Sequence, residues 1–116
     1  MNTYWRKNIS NPDVTPWLDW LSMGIKRYEG RLNKEDWAKM AVGDTLCLYS
    51  TESEAEFEIC EIKNYTTFAE AFEDLGELIV PGVDQTTSTV TDLYSKYFST
   101  TDIKTYGVIA IRLNKI

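Results

Sequence analysis

The alternation of polar and apolar residues in the middle of the chain predicts a half-buried β-strand over residues 52–62. Glutamates occupy every second position (Glu52, Glu54, Glu56 and Glu58), between Ser53, Ala55, Phe57 and Ile59. The alternation changes phase at Cys60-Glu61-Ile62, which indicates a β-bulge or burial on both faces. Residues 45–50 are also rich in strand-forming side chains, so the two segments predict a β-hairpin.

The helices are predicted from apolar residues at helical spacing together with capping signals. Thr67 and Glu70 form a capping box, which predicts a helix to about Leu75. Further helices are predicted after the start signals Asn11-Pro12 and Thr15-Pro16, over residues 33–40 and over residues 89–98.

The remaining apolar segments complete a fold of the α+β class. Residues 3–9 predict a first strand or an extended arm, residues 25–32 a second strand, and residues 107–111 a buried strand with little alternation. Strands lie on either side of the helices without a repeated strand–helix alternation, which predicts a small, mainly antiparallel β-barrel with flanking helices. The 116 residues are a usual size for one domain, so we expect a single domain over residues 1–116.

Composition removes several classes of function. The chain has no histidine, which excludes Ser-His-Asp and Cys-His nucleophile systems and histidine-bound zinc. Its net charge of −6 disfavours a broad basic surface that follows a phosphate backbone, but it leaves room for a small positive pocket. No membrane helix or signal peptide is recognisable, so we expect a cytoplasmic protein with no membrane partner.

The sequence predicts no metal site and no cofactor. Cys47 and Cys60 lie in apolar, strand-like segments, and we interpret both as buried free thiols, with a disulfide or a reactive thiol as the alternatives. The glutamate row over residues 52–58 offers oxygen ligands to a hard cation. Such a row is more typical of a solvated strand face, and that is our interpretation.

One segment, residues 24–32, concentrates chemistry between apolar neighbours. It holds three cations, one carboxylate, two glycines and a tyrosine within nine residues. Arginine offers a planar set of donors to phosphate or a base edge, and a desolvated lysine beside a carboxylate can transfer protons. In an ideal strand, however, Glu29 and Arg31 share a face and Lys26 lies on the other. The three converge only if Gly24 or Gly30 forms a turn or bulge; otherwise the segment is a surface strand with ion pairs.

This segment resembles the signature of the ASCH family (activating-signal-cointegrator homology domains), which has the form Gly-x-Lys-x-x-x-x-Arg. Gly24, Lys26 and Arg31 match the signature, and Glu29 fills an inner position that is often acidic in one branch. Further agreement follows in the same order along the chain, at Gly43-Asp44, Tyr65-x-x-Phe68, Pro81-Gly82, Tyr94-x-x-Tyr97 and Tyr106-Gly107-Val108-Ile109-Ala110-Ile111.

The resemblance implies a PUA-like fold whose signature lines a cleft for RNA, a nucleotide or a nucleoside. On this basis we expect a binding module in which Lys26, Tyr28, Glu29 and Arg31 contact the ligand. Either Tyr28 or Trp5 would supply an aromatic surface for stacking on a base. We interpret the remaining aromatic groups as core, namely Trp17 with Trp20 on one helix and Tyr94 with Tyr97 and Phe98 on another.

The resemblance also implies an alternative function, because some small family members are amidohydrolases that deacetylate N4-acetylcytidine. In those proteins the motif lysine works with a threonine three residues on and with a distant glutamate. Here Lys26 and Glu29 would be the catalytic pair, since Glu29 stands where the threonine is expected. Asp84 and Asp92 are the candidates for the third member. RNA cleavage and a role as an acidic domain in a protein complex are further alternatives.

Overall fold

Five strands form one mixed sheet in the computed structural model, which describes residues 2–13, 15–81 and 87–116. The strands are β1 (Tyr4–Asn8), β2 (Tyr28–Leu32), β3 (Thr45–Tyr49), β4 (Glu54–Tyr65) and β5 (Val108–Lys115). Their order in the sheet is β1-β3-β4-β5-β2, and every neighbouring pair is antiparallel except β1 and β3. The predicted α+β class and the mainly antiparallel sheet are confirmed.

Four α-helices and two short 3₁₀ helices pack around this sheet in the described part of the chain. The α-helices are α1 (Trp17–Met23), α2 (Phe68–Leu75), α3 (Thr87–Ser95) and α4 (Thr100–Tyr106), and the 3₁₀ helices are Glu35–Lys39 and Gly76–Leu78. No helix of the described ranges has both the length and the apolar character needed to cross a membrane.

The hairpin predicted from the polar alternation is confirmed, and so is its bulge. Strands β3 and β4 pair antiparallel, and the register of β4 against β5 shifts between Ile59 and Glu61. Phe57 and Ile59 are fully buried, while the four glutamates of the row are exposed. The row is therefore a solvated strand face.

Both cysteines are free thiols, as predicted. Cys47 on β3 is buried, which agrees with the interpretation from sequence. Cys60 lies at the bulge of β4 and is only partly buried, so the prediction of a buried thiol is wrong there. The extra residue of a bulge drops out of the regular in–out alternation of the strand, and here it keeps part of its surface in solvent.

The sheet curls until its two edge strands approach each other. Nη2 of Arg31 on β2 donates a hydrogen bond of 2.9 Å to the carbonyl oxygen of Asn8 on β1. These strands are the first and the last in the sheet order, so a side chain rather than a backbone ladder bridges the gap. The predicted small barrel is thus an incomplete one, and its open seam lies at Arg31.

The helix boundaries follow local capping, with corrections at three predicted elements. Asn11 starts no helix, because its Oδ1 instead accepts from the backbone N–H groups of Leu18 and Asp19 at 3.2 and 3.3 Å and so caps α1 from outside. Thr67 caps α2 as predicted, accepting from the N–H of Glu70 at 3.1 Å. Residues 33–40 contain a 3₁₀ helix, and the helix predicted over residues 89–98 ends at Ser95.

Candidate functional site

The turn after α1 brings the signature lysine to the same side as the signature carboxylate. Gly24 ends the helix with a φ of +78°, a left-handed conformation that glycine adopts without strain. The N–H groups of Ile25 and Lys26 both donate to the carbonyl of Trp20, at 3.0 and 3.1 Å. Because these N–H groups are bonded to the end of α1, they cannot take part in the sheet. Strand β2 therefore begins at Tyr28 and not at residue 25 as predicted.

Lys26, Glu29 and Arg31 form one cluster, which we call the signature cluster. Nζ of Lys26 lies 3.6 Å from Oε1 of Glu29, and Nε of Arg31 lies 2.8 Å from Oε2 of the same carboxylate. Nζ of Lys26 also donates to the carbonyl oxygen of Ile79. Glu29 thus lies between two cations. The three side chains converge, as we expected if one of the neighbouring glycines formed a turn, and Gly24 is that glycine.

The three side chains differ sharply in exposure. The side chain of Lys26 is 0% exposed and that of Glu29 is 8% exposed, while that of Arg31 is 19% exposed. Nζ of Lys26 lies 5.0 Å from the centre of the Trp17 ring. Burial lowers the pKa of Lys26 to about 8, and the charge of Glu29 opposes that fall. Lys26 therefore supports Glu29 from the interior, and Arg31 is the cation that solvent reaches.

Arg31 is held in a defined orientation at the seam of the barrel. Its guanidinium lies over the indole of Trp37, with Cζ 4.5 Å from the ring centre, and Nη2 is bonded to the Asn8 carbonyl. Stacking and hydrogen bonds together fix the plane of the guanidinium, which reduces the entropy lost when a planar anion pairs with it.

A pocket of about 220 Å³ opens beside the signature cluster, and we call it the aromatic pocket. Glu29 and Arg31 form its charged wall, and the backbone of Gly30 lies between them. Its other side consists of aromatic side chains from α1, from α3 and from the residues after α3, namely Trp17, Tyr94, Tyr97 and Phe98. Tyr97 is 42% exposed, so it presents ring surface that a planar ligand can cover.

Gly30 allows this aromatic wall to approach β2. A Cβ atom at residue 30 would lie 3.1 Å from Cδ1 of Ile79 and 3.3 Å from Cε1 of Phe68. The rings of Phe68 and Tyr94 stack with centres 4.0 Å apart, and Phe68 and Phe98 stack at 5.2 Å. The absent side chain at Gly30 therefore makes room for the stack that shapes the pocket.

The hydroxyl of Tyr94 is a buried polar group beside the signature cluster. It lies 3.5 Å from the place where a Cβ of residue 30 would be, and no described residue accepts or donates a hydrogen bond to it. Burial raises the pKa of Tyr94, and the nearby Glu29 carboxylate raises it further. The hydroxyl is therefore protonated at neutral pH and is a donor without an acceptor among the described residues.

Two predicted aromatic contacts lie elsewhere. Tyr28 is buried, its hydroxyl donates to Glu61, and it does not line the aromatic pocket. Nε1 of Trp5 donates to Oδ2 of Asp44 at 2.9 Å. Asp92 is exposed and does not line the pocket either, and Asp84 lies outside the described residues.

The predicted core assignment is confirmed for Trp17 and Tyr94, which are buried, and Phe98 packs against the core, but it is wrong for Tyr97, which is exposed. Sequence reasoning missed that these side chains also line a pocket. The available signal was the Tyr94-x-x-Tyr97 pair, which follows the signature in the family pattern. Among the described residues, no group of three histidine, cysteine, aspartate or glutamate side chains is placed to hold a metal ion.

Comparison with known proteins places the fold. The family model described as ASCH domain matches residues 14–116. No curated protein matches the chain. Solved structures with the same fold include the hypothetical protein PH0355, with a TM-score of 0.86 and 24% identity over 97% of this chain and 99% of that one.

Two further solved structures agree with this fold. Protein PF0455 from Pyrococcus furiosus has a TM-score of 0.77 and 24% identity, over 97% of both chains. The ASCH domain from Lactobacillus crispatus JV V101 has a TM-score of 0.64 and 14% identity, over 97% of this chain and 79% of that one. At these identities the similarity is one of fold.

Proposed function

This chain belongs to the ASCH domain family, with the PUA-like fold that its signature predicted, and from that premise we propose that it binds a short RNA segment or a nucleotide in the aromatic pocket. One observation carries the proposal: Glu29 and Arg31 meet the exposed ring of Tyr97 around a single pocket. Stacking surface combined with a donor and an acceptor on its rim is the arrangement by which proteins hold unpaired bases.

The side chains have separate roles in this proposal. Arg31 uses Nε and Nη2 within the protein, and no described residue bonds its Nη1, which we assign to the phosphate. Glu29 accepts from an exocyclic amine of the base. Lys26 does not touch the ligand but pairs with the Glu29 carboxylate and holds it in place, so we reassign it from a ligand contact to a positioning residue.

The charge balance of the signature cluster favours an anion. One carboxylate lies between two cations, so the cluster carries an excess of positive charge although the whole chain carries −6. A local excess in a partly enclosed pocket acts on a bound phosphate more strongly than distant surface charges, which salt screens. This explains how an acidic protein can take a single nucleotide without a basic surface.

The proposal covers residues 1–116 as one domain, acting in the cytoplasm. The family match begins at residue 14, but Asn8 on β1 also lines the aromatic pocket and holds Arg31 through its carbonyl. The N-terminal strand therefore belongs to the binding unit.

Titration calorimetry with nucleosides, nucleotides and short RNAs tests the proposal. We expect Arg31→Ala to weaken binding of a nucleotide about tenfold or more. Arg27→Ala is the matched control, because it removes the same charge four residues away from a side chain that does not line the pocket. Equal affinity of the Arg31→Ala variant and the unchanged protein would contradict the proposal.

A nucleoside amidohydrolase acting on an N4-acetylcytidine-like substrate is the second candidate, favoured by the lowered pKa of Lys26. Against it, the side chain of Lys26 has no exposed surface, its Nζ is bonded to the carbonyl of Ile79, and it does not line the aromatic pocket. Incubation with N4-acetylcytidine followed by chromatography separates the candidates. We expect no cytidine, and cytidine formation that disappears in Lys26→Met would establish the enzyme instead.

A further inference from the structure

A second pocket of about 280 Å³ adjoins the aromatic pocket on the other side of Arg31. The two pockets share Arg31, Tyr97 and Phe98. The far wall of the second one is formed by the 3₁₀ helix Glu35–Lys39, the residues before it and α4, through Lys34, Glu35, Trp37 and Asp102. Arg31 thus stands on the ridge between two adjoining cavities rather than at the end of one.

Arg31, which lies between the two pockets, is suited to bind a phosphate that joins two ring systems. The guanidinium of Arg31 is stacked on Trp37 on the side of the second pocket and bonded to Glu29 on the side of the first. Tyr97, with its 42% exposed ring, borders both cavities. A phosphate bound to this guanidinium would have room for a ring system on either side.

The charges of the second pocket differ from those of the first. The lining of the second pocket contains two cations, Lys34 and Arg31, and two carboxylates, Glu35 and Asp102. Nζ of Lys34 lies 4.0 Å from Oε1 of Glu35 and 5.0 Å from the centre of the Tyr106 ring. Two carboxylates disfavour a second phosphate, and they accept hydrogen bonds from hydroxyl and amino groups. The second pocket therefore suits an uncharged nucleoside unit.

We propose that the ligand is a dinucleotide unit of single-stranded RNA, with its first base in the aromatic pocket, its phosphodiester on Arg31 and its second nucleoside in the second pocket. This inference rests on the proposed function. Of the two ligands named there, a short RNA segment and a single nucleotide, it selects the RNA segment, because a single nucleoside fills only one cavity. It also assigns Lys34 and Asp102 to ligand contact, which the signature does not.

Two tryptophans allow each pocket to be observed separately. Trp17 lines the aromatic pocket and Trp37 lines the second one, while Trp5 on β1 lines neither. In a ¹H–¹⁵N spectrum, the indole signals assigned with Trp→Phe variants report on the two sites, and Trp5 is the internal control. The probes are the four nucleoside monophosphates and a set of dinucleoside monophosphates that carry one phosphate each.

We expect the mononucleotides to shift the Trp17 signal more than the Trp37 signal, because they reach Trp37 only through the stacked Arg31, and the dinucleoside monophosphates to shift both strongly. The second unit should tighten binding about tenfold. Lys34→Ala should remove most of this gain, so that a dinucleoside monophosphate binds the variant about as tightly as a mononucleotide binds it. Lys39→Ala is the matched control, because Lys39 is an exposed lysine at the end of the 3₁₀ helix that Lys34 precedes, and it lines neither pocket.

The possible failures are distinguishable. Dinucleoside monophosphates that bind no tighter than mononucleotides, or that leave Trp37 unshifted, would overturn this inference while the proposed function stands. A mononucleotide that shifts both signals equally would overturn it as well, since one unit would then span both cavities. If no probe shifts Trp17 or Trp37, the proposed function fails together with the inference.

Discussion

Nζ of Lys26 lies 3.6 Å from Oε1 of Glu29 in an interior where the lysine side chain has no exposed surface. Removing an ammonium group from water costs several kcal/mol, and the nearby carboxylate, the Ile79 carbonyl and the ring of Trp17 compensate for it. Glu29 has a second partner in Arg31, whereas Lys26 has no other carboxylate among the described residues. The pair is therefore asymmetric, because the lysine depends on the glutamate more than the glutamate depends on the lysine.

This asymmetry predicts that Glu29→Gln is more harmful to folding than its position at a pocket suggests. The substitution leaves a buried ammonium without its carboxylate, and we expect a loss of about 3 kcal/mol in the free energy of unfolding at pH 7. Urea unfolding measures it. Adding Lys26→Met to Glu29→Gln should restore much of the loss, because it removes the unpaired charge. A double variant that loses the sum of both single effects would contradict the asymmetry.

The lowered pKa of Lys26 predicts a pH dependence with a defined sign. The folded protein releases this proton near pH 8, and the unfolded chain releases it near 10.5. Between these values the unfolded chain binds more protons, so the contribution of Lys26 to stability rises with pH. The full rise is about 3 kcal/mol.

The comparison that isolates this contribution is with Lys26→Met, since tyrosines of the unfolded chain also titrate near pH 10. We expect the stability of the unchanged protein to increase relative to Lys26→Met from pH 7 to pH 9.5, measured by urea unfolding. A constant difference over that range would mean that Lys26 keeps its usual pKa in the folded state.

The sequence predicted what depends on local pattern. The alternation around Phe57 and Ile59 is a property of neighbouring residues, so the β3–β4 hairpin and the bulge at Cys60 were predictable. The same holds for the cap at Thr67. Helix α4 was missed because its apolar stripe is weak, although Ser99 and Asp102 have the spacing of a capping pair, and Ser99 does accept from the N–H of Asp102 at 3.1 Å.

The candidate site was predictable only in part, because it depends on packing between distant segments. An ideal strand places Lys26 opposite Glu29, and their convergence requires the backbone bonds from residues 25 and 26 to Trp20. The exposure of Tyr97 depends on where α3 ends, which periodicity does not determine. A stripe of aromatic residues has the same spacing whether it faces a core or lines a pocket.

Asp44 is predicted to be an acid-sensitive link between the N-terminal strand and the rest of the sheet. Its carboxylate accepts from the N–H of Thr3 at 2.9 Å, from Nε1 of Trp5 at 2.9 Å and from the N–H of Ala41 at 3.0 Å. These hydrogen bonds, that from Thr3 most of all, lower the pKa of Asp44 below 3.8. The stabilisation is therefore complete above about pH 4 and disappears as the pH falls through the lowered folded pKa.

Asp44→Asn tests this link, because an amide keeps the shape but places a donor against one of the three N–H groups. We expect a loss of about 2 kcal/mol in the free energy of unfolding between pH 5 and 7. The difference from the unchanged protein should diminish below about pH 3. Equal stability at pH 6 would show that water replaces the carboxylate without cost.

We expect Tyr94→Phe to increase the stability of the protein and to weaken its binding of a nucleotide. The substitution keeps the ring that stacks on Phe68 at 4.0 Å and removes a buried hydroxyl that has no partner among the described residues. Removing an unsatisfied buried donor should raise the free energy of unfolding by about 1 kcal/mol, which thermal or urea unfolding detects.

If the ligand supplies the missing acceptor, the same variant should bind a nucleotide about fivefold more weakly, measured by calorimetry. Tyr97→Phe is the comparison for stability, because the Tyr97 hydroxyl already accepts from Nε1 of Trp17 at 3.3 Å and its removal should lower the free energy of unfolding rather than raise it. A Tyr94→Phe variant that is less stable than the unchanged protein would mean that the hydroxyl is already satisfied without ligand.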